Sequence, residues 1–245
     1  KNFENRNNSF VIGIDHLSQS DDRKRFKNNF GIKGDITLSQ MENFDSTGLY
    51  LVNQTTFNAG FLLRYGIRYD INSIGIDSTN KINLDKINPS LGLSYTINSS
   101  DNLFFSFGTS FETPTLNELS NNPDGSGFNK DLNSNNAVNY EIGWRKSLTN
   151  IAFEAVAYIT NSDNEILPYE IEQFPGKNFY RNVGSTIRKG VELSSTLSFD
   201  RGFFSLNYTL SNNRFKDFTL NGNNLSNKIV NFQQIHFDRL ALESE

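Results

Sequence analysis

The chain has 245 residues, a formal net charge of −4, no cysteine, and 13% aromatic residues dominated by 22 Phe and 9 Tyr. These values exclude disulfides, thiolate metal sites and Cys nucleophiles, and a pI of about 5.3 without a long Lys/Arg run leaves no electrostatic footprint for nucleic acid. A mean hydropathy of −0.52 and the lack of any run near the ~18–20 apolar residues of a spanning helix exclude a helical membrane protein, but not a barrel, in which only alternate residues meet lipid.

The chain opens at Lys1 with no Met and no charged-then-apolar leader, so the start of the protein is expected upstream. Strand signals then run to about residue 218, several of them at the period of two that sends successive side chains to opposite faces. A first strand is expected to end at His16. After a long stretch near 35–57, Phe61, Leu63, Tyr65, Ile67 and Tyr69 form an apolar face opposite Arg64, Gly66, Arg68 and Asp70. The pattern recurs with Leu91, Leu93, Tyr95 and Ile97; with Leu103, Phe105, Phe107 and Phe111; and with Val138, Tyr140, Ile142 and Trp144. Gly92, Ser94, Ser106, Gly108, Glu141 and Arg145 alternate with these. Ile151, Phe153, Ala155, Ala157 and Ile159, then Val191, Leu193, Leu197 and Phe199, continue it, with Glu154, Glu192 and Thr196 between them.

The connections separate a barrel from a soluble sandwich. Tight ones at Asn58-Ala59, 98–101, Thr149-Asn150 and 200–202 alternate with longer polar ones near 17–34, 77–83, 114–136, 168–177 and 219–228. Short periplasmic turns alternating with long extracellular loops are the pattern of an outer-membrane barrel. The expected fold is therefore all-β: an antiparallel up-and-down transmembrane β-barrel, partial, with roughly nine strands of a larger barrel. Strand stretches near 35–57, 150–167 and 178–200 exceed the ~9–11 residues that a tilted strand needs to span, and the surplus is expected to project outward. Interior glycines such as Gly66, Gly92, Gly108, Gly143 and Gly190 imply a lumenal side packed against bulky groups.

Ser110-Phe-Glu-Thr-Pro-Thr-Leu-Asn-Glu-Leu119 resembles the strand-to-loop motif of TonB-dependent siderophore receptors, carried by Thr113, Pro114, Thr115, Leu116, Asn117, Glu118 and Leu119. Other pieces follow that family's order: Asp21-Asp-Arg-Lys-Arg-Phe26, Gly66-Ile-Arg-Tyr-Asp70 ending a strand, and Asn88-Pro-Ser-Leu-Gly-Leu-Ser-Tyr95. Asn139-Tyr-Glu-Ile-Gly-Trp144, Arg181-Asn-Val-Gly184 and Lys189-Gly-Val-Glu192 complete the series, and the resemblance covers roughly residues 10–228. It implies a barrel of about 22 strands occluded by a plug, with an energy-coupling segment ahead of the plug. Residues 1–229 are accordingly read as partial barrel. Residues 230–245, which lack the family's Pro and Gly and its terminal aromatic residue, are read as an atypical tail.

No catalytic, cofactor or metal site is expected. The two histidines, His16 and His236, are too few for a triad or cluster, and His16 is expected at the surface or rim. Asp131, Asn133 and Asn135 imitate the opening of a calcium loop, yet Asn136 stands where that loop needs Gly and Ile142 where it needs Glu. Glu141, Glu154 and Glu192 suggest paired carboxylates for acid–base work, but their polar-face neighbours favour lumen lining with Arg64, Arg68 and Arg145 as partners. Arg23, Lys24 and Arg25, preceded by Asp21 and Asp22, read as a locally compensated loop tip. Outward-facing members of Tyr50, Tyr69, Tyr95, Tyr140, Trp144 and Tyr158 are expected in interfacial girdles.

The resemblance implies part of an active-transport receptor in the bacterial outer membrane, and not an enzyme. Such a receptor takes a scarce nutrient, a ferric siderophore foremost, and is energised through TonB by way of an N-terminal region. Its partners would be outer-membrane lipid, the plug and remaining strands, and a small ligand such as a metal chelate, with no nucleic acid among them. A passive porin-like barrel and a secreted β-sandwich adhesin or glycan-binding module are the alternatives.

Overall fold

In the computed structural model, which describes residues 6–57, 59–76, 80–125, 127–220 and 223–230, the period-two segments become strands wherever the alternation was read. These are β1 (Arg6–Asn29), β2 (Ile32–Phe57), β3 (Phe61–Ile76), β4 (Asn80–Thr96) and β5 (Asp101–Glu112). A single turn of helix, α1 (Leu116–Ser120), precedes β6 (Asn135–Ser147) and β7 (Ile151–Asp163). A short hairpin, β8 (Ile166–Tyr169) and β9 (Phe179–Asn182), precedes β10 (Ser185–Phe199) and β11 (Gly202–Asp217), and the two-residue strands β12 (Thr219–Leu220) and β13 (Asn223–Asn224) follow.

Nine strands form one antiparallel sheet in the order β1-β2-β3-β4-β5-β6-β7-β10-β11, with β8–β9 and β12–β13 as separate hairpins. A sandwich would divide its strands between two facing sheets; here the wall is continuous. Strand parity decides which way each residue faces. Arg68 pairs across the sheet with Tyr50 and Asn88, and Glu141 with Ser106 and Tyr158, so the charged residues share one face, opposite the apolar one. Ile67, Ile87, Ile142, Val191 and Leu210 lie on the other face and stay exposed, as a lipid-facing surface requires.

Near the tight turns the outward face is aromatic. The Phe61 and Tyr95 ring centroids are 4.6 Å apart, and those of Trp144 and Phe153 are 5.3 Å apart. The Trp144 indole donates to Asp101 Oδ1 at 3.0 Å, an apolar body with a polar tip as an interfacial girdle needs. Tyr50 and Tyr158 are not among the outward-facing members of the set, because their parity puts them on the face of Arg68 and Glu141.

Their rings explain the interior glycines. Gly13 pairs with Tyr50, Gly143 with Phe104 and Gly190 with Tyr158. A Cβ on Gly143 would lie 2.2 Å from Phe104 Cζ, and one on Gly13 would lie 2.1 Å from Tyr50 Cζ. The aromatic ring therefore lies across the bare strand and supplies the packing that glycine lacks.

The outer connections differ from the expected loops. Residues 17–29 and 32–34 are strand, not loop: β1 (24 residues) and β2 (26 residues) pair to a two-residue turn at Phe30-Gly31, both at positive φ. Beyond the pairing of Glu42 with Ile76, β2 leaves β3, and the β1–β2 ribbon continues alone. Past its base, where Gln40 is buried, the ribbon is exposed to water on both faces, so apolar alternation fades while the ladder persists. The stretches near 150–167 and 178–200 are each two strands, broken at Asn164, Val183 and Gly184. His16 and Asp70 are interior to their strands, not at the ends. Val230 closes the described chain by donating to Asn213 O at 3.0 Å; residues 231–245, with His236, lie outside the described residues.

Replacing Gly143 with Val is expected to cost about 1–3 kcal/mol through collision with Phe104 and the Ala155 carbonyl. Gly108→Ala, where a Cβ meets nothing within 4 Å, is the matched control. Heat-modifiable gel migration of the full receptor should show a smaller folded fraction for the first variant only.

Candidate functional site

The lumenal face changes character along its length. On β3 the same parity carries Arg64, Gly66, Arg68, Asp70 and Asn72, then Ile74 and Ile76, which are buried. Ile74 and Ile76 gather with Leu116, Leu119, Phe128 and Leu132, against which Phe44, Ile82, Leu84, Ile166 and Tyr180 pack. This apolar cluster is an inward-folded cap over a polar lumen.

The 113–119 motif builds the cap. Thr115 is the N-cap of α1, and its hydroxyl accepts from Glu118 N at 3.2 Å while the Glu118 carboxylate accepts from Thr115 N at 2.8 Å. This reciprocal capping box holds a helix of only five residues. Pro114, Leu116 and Leu119 are buried, whereas Thr115 and Asn117 face solvent and Thr113 lines a cavity.

A carboxylate not singled out in the sequence ties the cap to the wall. Glu42 is wholly buried and accepts from Gln40 Nε2 at 2.7 Å and from Ser120 of α1, while Arg23 Nε lies 2.7 Å from Glu42 Oε1. A buried charge persists only when paired and hydrogen-bonded, so Glu42 requires both the ribbon and the helix. Glu165 does the same for the β8–β9 hairpin, with Arg188 of β10 across both oxygens and the buried Thr186 hydroxyl donating at 2.7 Å. Neither acid carried a motif, since each takes its partners from distant strands.

Below the cap, one cavity of about 630 Å³ collects Glu141, Arg145, Glu154 and Glu192 with Phe104 and Tyr158. A second of about 390 Å³ holds Arg68, Asp70, Asn72 and Asn88. Arg145 pairs with Glu154 at 2.5 Å and lies over the Phe104 ring. Glu141 is engaged instead by Asn139 at 2.6 Å and Ser106 at 3.2 Å, and Arg68 by Asp15 and Asp70, each at 2.7 Å. Arg64 is exposed on the lumenal face and lines neither cavity. The glutamates thus share one cavity wall, with Glu154 paired to Arg145 and Glu141 held by Asn139 and Ser106. Asp131 and Asn133 are taken up in turn contacts with Asn129 and Asn182. His16 is exposed beside the Thr47 hydroxyl at 3.0 Å.

This wall of nine sequentially paired strands, polar inside and apolar outside, can now be set against known proteins. The family described as TonB dependent receptor-like, beta-barrel, matches residues 2–234. The chain belongs to that family. It is an outer-membrane receptor-barrel segment, and the family is one of receptors and transporters. Over 107 residues the segment is 34% identical to the vitamin B12 transporter BtuB of Vibrio vulnificus (strain CMCP6), covering 43% of this chain and 16% of that protein. The FrpB iron transporter from Neisseria meningitidis (F3-3 variant) superposes with a TM-score of 0.65 at 16% identity, over 84% of this chain and 33% of that one. The ferric-catecholate import receptor Fiu from K12 E. coli gives 0.61 at 15% identity, over 91% and 37%. The receptor segment therefore spans about a third of the solved relatives' length. At these identities the structural likeness speaks for the fold.

Thr115→Ala is expected to cost about 1 kcal/mol of cap stability. Glu42→Ala should cost about 2–3 kcal/mol, since it strands the Arg23 guanidinium beside buried Ser120 and Gln40. Limited proteolysis within 113–134 should quicken in that order, while cleavage at the short turns stays unchanged.

Proposed function

We propose that this segment supplies the wall and outer mouth of a receptor that imports a scarce nutrient across the outer membrane, a ferric siderophore foremost, with energy delivered through TonB. It is not an enzyme in this reading. Residues 1–229 act as barrel, and 230–245 as a separate tail. The missing strands of the barrel extend the ladders of β1 and β11, lipid covers the apolar face, and the plug stands against the two polar cavities.

The observation that carries this reading is the inward cap built by the 113–119 motif. A passive pore works by leaving its lumen open, whereas here α1 and its apolar cluster fold over the lumenal face. A roofed mouth above a polar wall suits capture of a solute followed by regulated release. The names of FrpB and Fiu, which specify iron and ferric catecholate, favour a ferric chelate over the cobalamin of BtuB.

The test is uptake by iron-limited cells carrying the full receptor, with a radiolabelled ferric catecholate as probe. Accumulation that stops when the proton gradient is dissipated or TonB is deleted is the expected result. Equal uptake with and without both would establish a passive pore instead.

A further inference from the structure

On β7, β10 and β11 the outward face turns from apolar to polar at one row of the ladder. Val191, Leu193, Leu197 and Phe199 on β10 are exposed apolar residues, as are Phe204, Leu206, Tyr208 and Leu210 on β11. The next outward position is Lys189 on β10 and Asn212 on β11, which pair with each other. Ile159 of β7 pairs with Lys189 from the other side, and beyond it the outward residue is Asn161. Counted from the short turn at Phe199, Lys189 stands where the ~9–11 residues of a spanning strand run out. Sequence pattern and strand length therefore put the same residue at the outer limit of the hydrocarbon.

Arg214, one alternation further along β11, bends back to this row: its Nε donates to Asn212 Oδ1 at 2.9 Å. Its Nη1 donates to Asn227 O at 2.8 Å, which fixes the guanidinium against the wall. Asn212 thus joins the two cations on the outward face. A groove of about 540 Å³ borders them, and its lining includes Ile159, Lys189, Val191, Leu210 and Asn212. Among the described residues neither cation has a carboxylate within ion-pair distance. For a lysine in water, such as the exposed Lys27 of the ribbon, that lack has no consequence, because water solvates the charge. At the edge of hydrocarbon it leaves the charge in want of a partner. Lys146, outward on β6 near the short turns, shows the alternative: Asp101 of the neighbouring strand pairs with it at 3.1 Å.

We propose that Lys189, Asn212 and Arg214 form a lipid site on the outer wall, which holds the phosphate headgroup of an anionic lipid while its acyl chains lie against Ile159, Val191 and Leu210. A lysine stem buries along apolar surface and carries its ammonium to the interface. There the ammonium supplies a point charge, and the guanidinium supplies planar N–H donors for phosphate oxygens. With its Oδ1 taken by Arg214, Asn212 keeps only its amide donors for a ligand. A zwitterionic lipid brings its own cation and gains less from two positive side chains, so charge decides which lipid stays. The retained lipid bridges β10 and β11 at their outer ends, on the side of the wall away from the cavities. The inference rests on the wall's place in the outer membrane and not on the transport reading.

The experiment is native mass spectrometry of the full receptor, released from micelles doped with phosphatidylglycerol or, in parallel, with phosphatidylcholine. Phosphatidylglycerol should be retained in preference. Its binding should weaken about fivefold in Lys189→Gln or Arg214→Gln and about thirtyfold in the double variant. Lys189→Arg, which keeps the charge, should retain the lipid, and Lys27→Gln should match the parent. Heat-modifiable gel migration establishes that each variant is folded. Inorganic phosphate at equal concentration should not displace the lipid, since it lacks the chains that occupy the groove. Equal retention of the two lipids would reduce the wall to unselective apolar contact. Equal retention by the parent and the double variant would put the headgroup elsewhere, and displacement by inorganic phosphate would make this a free-anion site; each of the three overturns the proposal. The first and third are read on the parent receptor alone, so they decide the matter even where a variant fails to fold. Because no uptake is measured, a negative result leaves the transport reading standing.

Discussion

In hydrocarbon, a backbone N–H or C=O without a partner costs several kcal/mol, and no water is present to supply one. The rest of this wall follows from that constraint. Ladders run from strand to strand through nine neighbours, and a one-residue slip anywhere would turn a whole strand's arginines and glutamates to lipid. Parity is thereby imposed on every side chain, and the lumenal charges need not be placed one by one. Arg68, Asn88, Glu141 and Tyr158 lie on the polar face because Ile67, Ile87, Ile142 and Ile159 occupy the exposed apolar one.

Above the membrane the constraint reverses. Water now satisfies the outside of the strands, and the apolar residues turn inward along the same parity: Asn72 gives way to Ile74 and Ile76 on β3, and Ile82 and Leu84 stand opposite on β4. A short helix cannot hold itself in water. α1 persists because Leu116 and Leu119 enter this cluster, Thr115 caps the first turn, and Ser120 reaches Glu42. The cap is thus an outgrowth of the wall's own faces and not an added domain.

This division explains what could be read from the chain. Within the membrane a greasy side and a wet side impose period two, so strands such as 61–69 and 138–144 and their lumenal arginines were legible one segment at a time. Outside it the ribbon at 17–34 carries polar residues on both faces, and its Asp, Arg, Lys and Asn residues look like a loop although they form a ladder. The girdle expectation held only for outward-facing tyrosines, and which ones those are is fixed by pairing: Tyr50 lies opposite Gly13 and Tyr158 opposite Gly190, on the polar face. Glu42 and Glu165 escaped notice because a buried acid is defined by partners 19 or more positions away, Arg23 and Ser120 for one and Arg188 for the other.

The arrangement of charge then separates the wall from the mouth. Along the lumen Arg68 and Arg145 meet carboxylates on neighbouring strands, so their attraction is spent within the wall and they contribute little field at a distance. At the mouth Arg23 and Arg188 are likewise spent on holding the cap and the hairpin. Arg25 differs from Arg23 by two residues and a full change of role, because the buried acid that neutralises Arg23 has the same oxygen, Oε1, already engaged by Ser120 and Gln40, while Arg25 donates to Asn121. The ribbon that supplies both cations therefore anchors the cap with one and leaves the other beside α1.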